Sequence, residues 1–267
     1  MIRRAANPWR EPAGATTRRE FLASLAAAAI AGTSSCNSRS ATPELNTQPA
    51  RLTARVSAPT QRIEPGRHDL GLAAGRDGVL YIPRSYRSDT PAALVMLLHG
   101  AGGRAGNWFG SYGNRAEELG LIILAPESRG ATWDAIRGDF GRDVPFVDAA
   151  LEYTFDCVAI DPRRVAIAGF SDGASYAISL GLPNGDLFTH VIAYSPGFVR
   201  GHTANGKPPL FVSHGVSDQI LPIATTSRLI VPSLRARGYA VDFVEFAGGH
   251  EVPPAITKQA LDWFLKA

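Results

Sequence analysis

Ser171 lies in Gly169-Phe170-Ser171-Asp172-Gly173, directly after the apolar run Val165-Ala166-Ile167-Ala168. A serine hydroxyl is a weak nucleophile at neutral pH unless a base stands within hydrogen-bond reach and an acceptor orients that base. Gly-x-Ser-x-Gly meets the geometric need when a strand precedes it and a helix follows. The turn then holds the serine in a strained conformation at the carboxyl end of the sheet, and the flanking glycines leave room for it. Both conditions are met by the pattern: Val165 to Ala168 reads as a buried strand, and Ala174 to Leu180 reads as a helix.

The base should be a histidine, and in a strand–turn–helix setting the chain order is Ser, acid, His. Of the six histidines, His190, His202, His214 and His250 follow Ser171. His190 starts a strand at the wrong end of the sheet. His202 and His214 precede the plausible acids, although His214 stands at a strand end close to the expected site. His250 follows the strand Asp242 to Phe246 and the flexible Ala247-Gly248-Gly249, and is the expected base. For the acid, Asp218 closes the turn His214-Gly215-Val216-Ser217-Asp218 beyond the strand Leu210 to Ser213. That delivers it to the edge where Ser171 stands. Asp242 and Glu245 fall inside a strand, and Asp186 falls at the opposite edge.

A tetrahedral intermediate needs two donors for its oxyanion. The expected pair is the backbone N–H of Asp172 and that of Ala101, with Gly102 as second choice. Ala101 and Gly102 belong to His99-Gly100-Ala101-Gly102-Gly103, a loop whose small residues let the backbone approach a substrate oxygen. Gly102, Trp108 and Trp133 are the candidate substrate-binding residues, with Phe198 beside them. His99 is expected to be structural, and Cys157, in an apolar helical pattern, a packed thiol. No metal-ligand cluster or phosphate loop is visible in the sequence, so no metal and no cofactor is expected.

These residues must be positioned by a sheet. Ala93 to Leu98 and Leu121 to Ala125 are continuous apolar runs, as strands covered on both faces require. His68 to Ala73 and Val79 to Ile82 flank Gly75-Arg76-Asp77-Gly78 and read as a hairpin. His190 to Tyr194, Leu210 to Ser213 and Ala240 to Phe246 are further strands. Helices are expected over Asn107 to Leu119, after Asp143 (a candidate cap), over Ile223 to Arg237 and over Ala255 to Leu265. Glu127 to Arg142 reads as a loop. Alternating strands and helices imply an α/β fold with a mainly parallel, eight-stranded sheet and helices on both faces.

The formal charge of +3 on 267 residues comes from the N-terminus. Residues 1–35 hold five of the 27 Lys and Arg and two of the 24 Asp and Glu, leaving 22 of each. A neutral remainder gives no argument for a nucleic-acid partner. Thr17-Arg18-Arg19-Glu20-Phe21-Leu22 followed by Ala23 to Gly32 resembles a twin-arginine export signal. The expected organisation is therefore a signal over 1–36, a Ser-, Thr- and Pro-rich tether over 37–61 and a catalytic domain over 62–267. Such a chain would be periplasmic, extracellular or, if Cys36 takes a lipid, membrane-anchored.

Leu97 to Gly103, Gly169 to Gly173, Val212 to Asp218 and Gly249-His250 stand in one order along the chain. In that order they resemble the α/β-hydrolase superfamily, and within it the phospholipase/carboxylesterase and polyhydroxybutyrate-depolymerase-like esterases. Asp161-Pro162-Arg163-Arg164-Val165 before the elbow fits both. The resemblance implies a serine esterase that cleaves small-molecule or polymeric esters through an acyl-enzyme, without a cofactor and as a monomer. Two other readings use the same residues: a non-catalytic binding module on this fold, and a peptidase. Asp172 departs from the carboxylesterase pattern, where that position is uncharged. The fifteen residues Ser195 to Pro209 are too few for a helical cap. Ser171 is therefore expected in an open, shallow cleft walled by Ala101 to Trp108 and the Trp133 loop.

Overall fold

The computed structural model describes residues 50–201 and 204–266. In chain order the strands are β1 (Gly66–Asp69), β2 (Gly78–Ile82), β3 (Ala92–Leu98), β4 (Ile122–Pro126), β5 (Ile160–Phe170), β6 (His190–Tyr194), β7 (Leu210–Gly215) and β8 (Val241–Phe246). The helices are α1 (Phe109–Leu119), α2 (Asp134–Arg137), α3 (Asp143–Cys157), α4 (Asp172–Gly181), α5 (Ser227–Ala236) and α6 (Pro254–Lys266). One eight-stranded sheet runs β1-β2-β4-β3-β5-β6-β7-β8. The β1–β2 and β2–β4 pairs are antiparallel, and every pair from β4 through β3 to β8 is parallel. Parallel pairing brings the carboxyl ends of β3, β5, β6, β7 and β8 to one edge, where the loops bearing Ala101, Ser171, Asp218 and His250 emerge.

Strand alternation explains how the sheet is covered. On β7, Leu210 and Val212 join the large core cluster with α3, α4 and α5, while Phe211 points the other way onto Trp263 of α6. His190 of β6 meets Trp263 and Phe264 from the same side. Cys157 is a free, buried thiol, as its apolar pattern suggested.

Three expectations need correction. The segment expected as tether is docked from residue 50 on. Leu52 and Ala54 are buried in the core cluster, the Leu52 N–H donates to Asn184 Oδ1 at 2.9 Å, and Asp148 accepts the N–H groups of Thr53 and Ala54 at 2.8 Å. Arg51 and Arg55 both pair with Asp186, whose carboxyl is held down to about 2, chiefly by the Arg51 hydrogen bond. Glu127 to Arg142 includes the short helix α2. Asp143 does not cap α3: its carboxylate accepts the Arg129 N–H at 2.5 Å and the Asp134 N–H at 2.6 Å, stapling that loop shut. The signal expected over 1–36, Cys36 within it, the first part of the expected tether and His202 lie outside the described residues. No helix among the described residues is long and apolar enough to cross a membrane.

Candidate active site

Ser171 sits at the junction of β5 and α4 with φ 57° and ψ −121°, a left-handed backbone that a serine tolerates only when its surroundings impose it. The surroundings do so by close packing. A Cβ on Gly169 would lie 2.2 Å from Gly173 O, and a Cβ on Gly173 would lie 2.1 Å from Leu98 O. Glycine at both positions is what lets strand, turn and helix approach β3 this closely. The Ser171 N–H donates to Tyr194 O at 2.9 Å, tying the elbow to β6.

The three expected residues meet. Ser171 Oγ lies 2.9 Å from His250 Nε2, and His250 Nδ1 lies 2.7 Å from Asp218 Oδ2. Asp218 Oδ1 accepts the Ile220 and Leu221 N–H groups at 2.9 Å each. Burial raises the Asp218 carboxyl, but the Leu221 N–H, the His250 ring and the Ile220 N–H outweigh it and hold the group below its ordinary range. Backbone bonds bring the His250 loop alongside β7: Val216 N–H to Phe246 O and Ser217 N–H to Gly248 O, both 2.9 Å. Gly215 must be glycine there, since a Cβ would lie 2.2 Å from Gly249 O.

In the loop after β3 the backbone bonds distinguish Ala101 from Gly102. The Gly102 N–H donates to Ala131 O at 2.7 Å and the Gly103 N–H to Gly100 O at 3.0 Å. Of these three N–H groups only Ala101's remains to pair with Asp172's at the start of α4. The Asp172 carboxylate accepts the Thr132 hydroxyl at 2.6 Å. A helix N-terminus favours an anion, which accounts for a carboxylate at this position.

His99 is structural, as expected, and it organises this loop. Its Nε2 accepts from Ser128 N–H at 3.0 Å and from Arg76 Nη2 at 3.1 Å, so Nδ1 bears the proton and donates to Gly100 O at 2.7 Å. Arg76, absent from the sequence-based set, reaches in from the β1–β2 turn and also donates to Gly103 O at 2.7 Å and Ser128 O at 2.6 Å. Burial lowers the His99 ring from the ordinary 6.5 to about 4, with the Gly100 bond opposing and Arg76 reinforcing the fall. Between those values the unfolded chain takes up a proton that the folded chain refuses. The His99 contribution, about 3 kcal/mol, is therefore full above pH 6.5 and is lost as pH falls towards 4. Asp143, pushed up to about 6 by burial, has the opposite sign, its contribution falling as pH rises from 3.8 to that value. The two overlap, so a melting curve alone hides both. The ring ¹⁵N shifts should show His99 neutral, protonated at Nδ1, down to about pH 4; a midpoint near 6.5 in the folded protein would contradict the structure.

The tryptophans expected to line substrate do not form an open wall. Trp133 is fully buried behind the oxyanion loop, donates through Nε1 to His99 O at 2.8 Å and stacks on Tyr176. Trp108 is 5% exposed and packs edge-on against Tyr112, with Tyr194 beyond. Both are core residues that shape the loop from behind. Phe198 is half-buried. Ser195 to Pro209 builds no helical cap among its described residues, yet Ser171 itself is only 6% exposed. Among the described residues no group of His, Cys, Asp and Glu is arranged to hold a metal ion.

Sheet order and elbow are those of the α/β-hydrolase fold, and solved structures agree on that fold. The chain superposes on esterase PE8 with a TM-score of 0.58 at 22% identity, covering 71% of this chain and 97% of that one. For the Bacillus cereus carboxylesterase the TM-score is 0.55 at 19% identity, covering 72% and 95%. Residues 140–266 match the model of the phospholipase/carboxylesterase family. A probable feruloyl esterase C of Aspergillus terreus is 30% identical over 159 residues, which is 56% of this chain and 57% of that protein. A poly(3-hydroxybutyrate) depolymerase of Ralstonia pickettii is 30% identical over 139 residues, 43% of this chain and 28% of that protein. The chain thus spans just over half the length of the first relative and under a third of the second.

Proposed function

We propose that this protein hydrolyses carboxylic esters by a Ser171–His250–Asp218 relay through an acyl-enzyme. The observation that supports it best is the unbroken line of contacts, Oγ to Nε2 at 2.9 Å and Nδ1 to Oδ2 at 2.7 Å. In this reading His250 Nε2 takes the Ser171 proton as Oγ adds to the ester carbonyl carbon. The Ala101 and Asp172 N–H groups receive the oxyanion. Collapse expels the alcohol, which takes the proton from His250. Water, deprotonated by His250, then attacks the acyl-enzyme, and the acid leaves as Oγ recovers its proton. Asp218 keeps the imidazole oriented and stabilises its charged form, without itself taking the proton.

The relatives' names point to esters of aromatic acids and of hydroxyacids, so small and polymeric esters are both within the proposed range. The export signal read in residues 1–36 would place the enzyme outside the cytoplasm, where such esters are met, and it would act there as a monomer, anchored through Cys36 if that residue is lipidated.

The test is an ester panel graded by acyl length, with aryl and polymeric members, run beside labelling by a fluorophosphonate probe. Turnover of at least one ester, with labelling lost in Ser171→Ala, is the expected outcome. Labelling that persists in Ser171→Ala would refute the nucleophile. With no helical cap among the described residues, the rate on a sparingly soluble ester should follow its dissolved concentration and level off by the solubility limit. A sharp jump there would mean that a lid opens at the lipid–water interface.

A further inference from the structure

Asp218 faces two histidines. Its Oδ2 lies 2.7 Å from His250 Nδ1 and 3.1 Å from His214 Nε2. His214 is the last residue but one of β7, four before the acid, and its side chain is completely enclosed. Its protonation pattern follows from its partners. Nε2 also lies 2.7 Å from Leu221 O, so both neighbours of that nitrogen are acceptors; it must bear the proton, and its single N–H is shared, with Leu221 O the nearer acceptor. Nδ1 lies 2.7 Å from Ser227 Oγ on α5, and with Nε2 protonated it accepts the serine hydroxyl. The ring is thus fixed as one tautomer by the turn from Asp218 to Leu221 on one side and Ser227 of α5 on the other. Glu245 on β8 pairs with it in register, but that carboxylate is engaged at the surface by Arg228 at 2.6 Å. Burial pushes the His214 ring below its ordinary value despite the Leu221 carbonyl and Asp218, in keeping with a neutral group.

We propose that His214 is a positioning residue of the relay: a neutral ring whose one Nε2–H, given first to Leu221 O, is shared with Asp218 Oδ2 and so restrains how strongly that carboxylate draws on the His250 N–H. This rests on the triad reading above. A carboxylate oxygen that already accepts one N–H is a weaker acceptor for a second, because each donor withdraws part of its charge. His214 thereby weakens the carboxylate's hold on the His250 N–H and keeps the carboxylate from rotating off the imidazole. The Ser227 hydroxyl strengthens the effect, since a hydrogen bond accepted at Nδ1 makes the opposite N–H a better donor.

The experiment is the pH profile of kcat/KM on a soluble p-nitrophenyl ester for wild type, His214→Met, His214→Gln and Ser227→Ala, with Ser171→Ala as reference. Met removes the donor at similar size, while Gln can return an N–H near the Nε2 position. In His214→Met the acid limb should move up by about half to one pH unit, and kcat should fall about tenfold with KM nearly unchanged. His214→Gln should bring the limb back towards wild type. Ser227→Ala, which leaves His214 in place, should move it in the same direction by less, and it keeps the proposal testable if His214→Met fails to fold. Acid limbs in both His214→Met and Ser227→Ala within about 0.2 unit of wild type would overturn the proposal. Should His214→Met not fold, a Ser227→Ala limb at the wild-type position does so alone. Full turnover in Ser171→Ala would instead overturn the triad reading itself, so the two failures are distinguishable.

Discussion

Ser171→Ala should lower kcat by about a millionfold, and His250→Ala by about as much, while the double variant is no worse than either. The reason is that the two act as one unit. Without Oγ there is nothing for His250 to deprotonate, and without Nε2 at 2.9 Å the hydroxyl keeps its proton. What survives is catalysis by the oxyanion donors and by binding alone. Asp218→Asn should be milder, about ten thousandfold, because an amide facing His250 Nδ1 favours the wrong tautomer without emptying the site. The alternative acids provide the control. Asp242 is exposed on β8 and Glu245 is paired with Arg228, so Asp242→Asn and Glu245→Gln should stay within a few-fold of wild type. Steady-state kinetics on any ester the protein turns over decides the matter. Near-full activity in Asp218→Asn, or collapse in Asp242→Asn, would remove Asp218 from the relay.

What could be read from the chain, and what could not, divides along a physical line. The convergence of Ser171, Asp218 and His250 was legible because each follows within four residues of a strand's end, and parallel strands deliver their ends to one edge. Glycine marked the elbow because close backbone approach leaves no substitute for it. Arg76 and His214 were harder. Arg76 acts on Gly103 and Ser128 across the fold from a hairpin turn, where an arginine ordinarily reads as solvated. His214 stands near the site in sequence, but chain order excludes it only as the base and says nothing about a further partner of the acid. Asp143 before a helix is the pattern of a cap, yet its carboxylate found better donors in a neighbouring loop. The tryptophans misled for the opposite reason: a large ring near a catalytic loop in sequence can stand behind the loop as easily as in front. Residues 50–56 look like tether by composition. Only the three-dimensional complement, Asn184, Asp148 and Asp186 gathered on one surface, turns them into a docked strap.

Gly173→Ala should damage folding and catalysis together, and the comparison of the two is informative. The added Cβ would lie 2.1 Å from Leu98 O and 2.5 Å from His99 O, both backbone atoms that cannot swing aside. Either α4 lifts away from β3 or the oxyanion loop is displaced. Overpacking of this kind costs about 1–3 kcal/mol, which for a domain of this size is a drop in Tm of roughly 3–10 °C. The kinetic loss should be larger than that figure suggests. The Asp172 N–H stands at the start of α4 and Ala101 stands just beyond His99, so the shift that relieves the clash moves one oxyanion donor relative to the other. A displacement of about 1 Å at reacting groups costs on the order of a hundredfold in rate. The loss should appear in kcat, because donors aimed at developing charge act on the transition state and hardly on the bound ester. Gly110→Ala is the matched control: a Cβ there meets nothing within 4 Å, on an exposed turn of α1. It should leave kcat unchanged and raise stability by up to about 1 kcal/mol, since alanine suits a helix better than glycine. Thermal melts with kcat for both variants separate the causes. If Gly173→Ala melted like wild type and kept its kcat, the close contact between elbow and β3 would not be what positions the oxyanion donors.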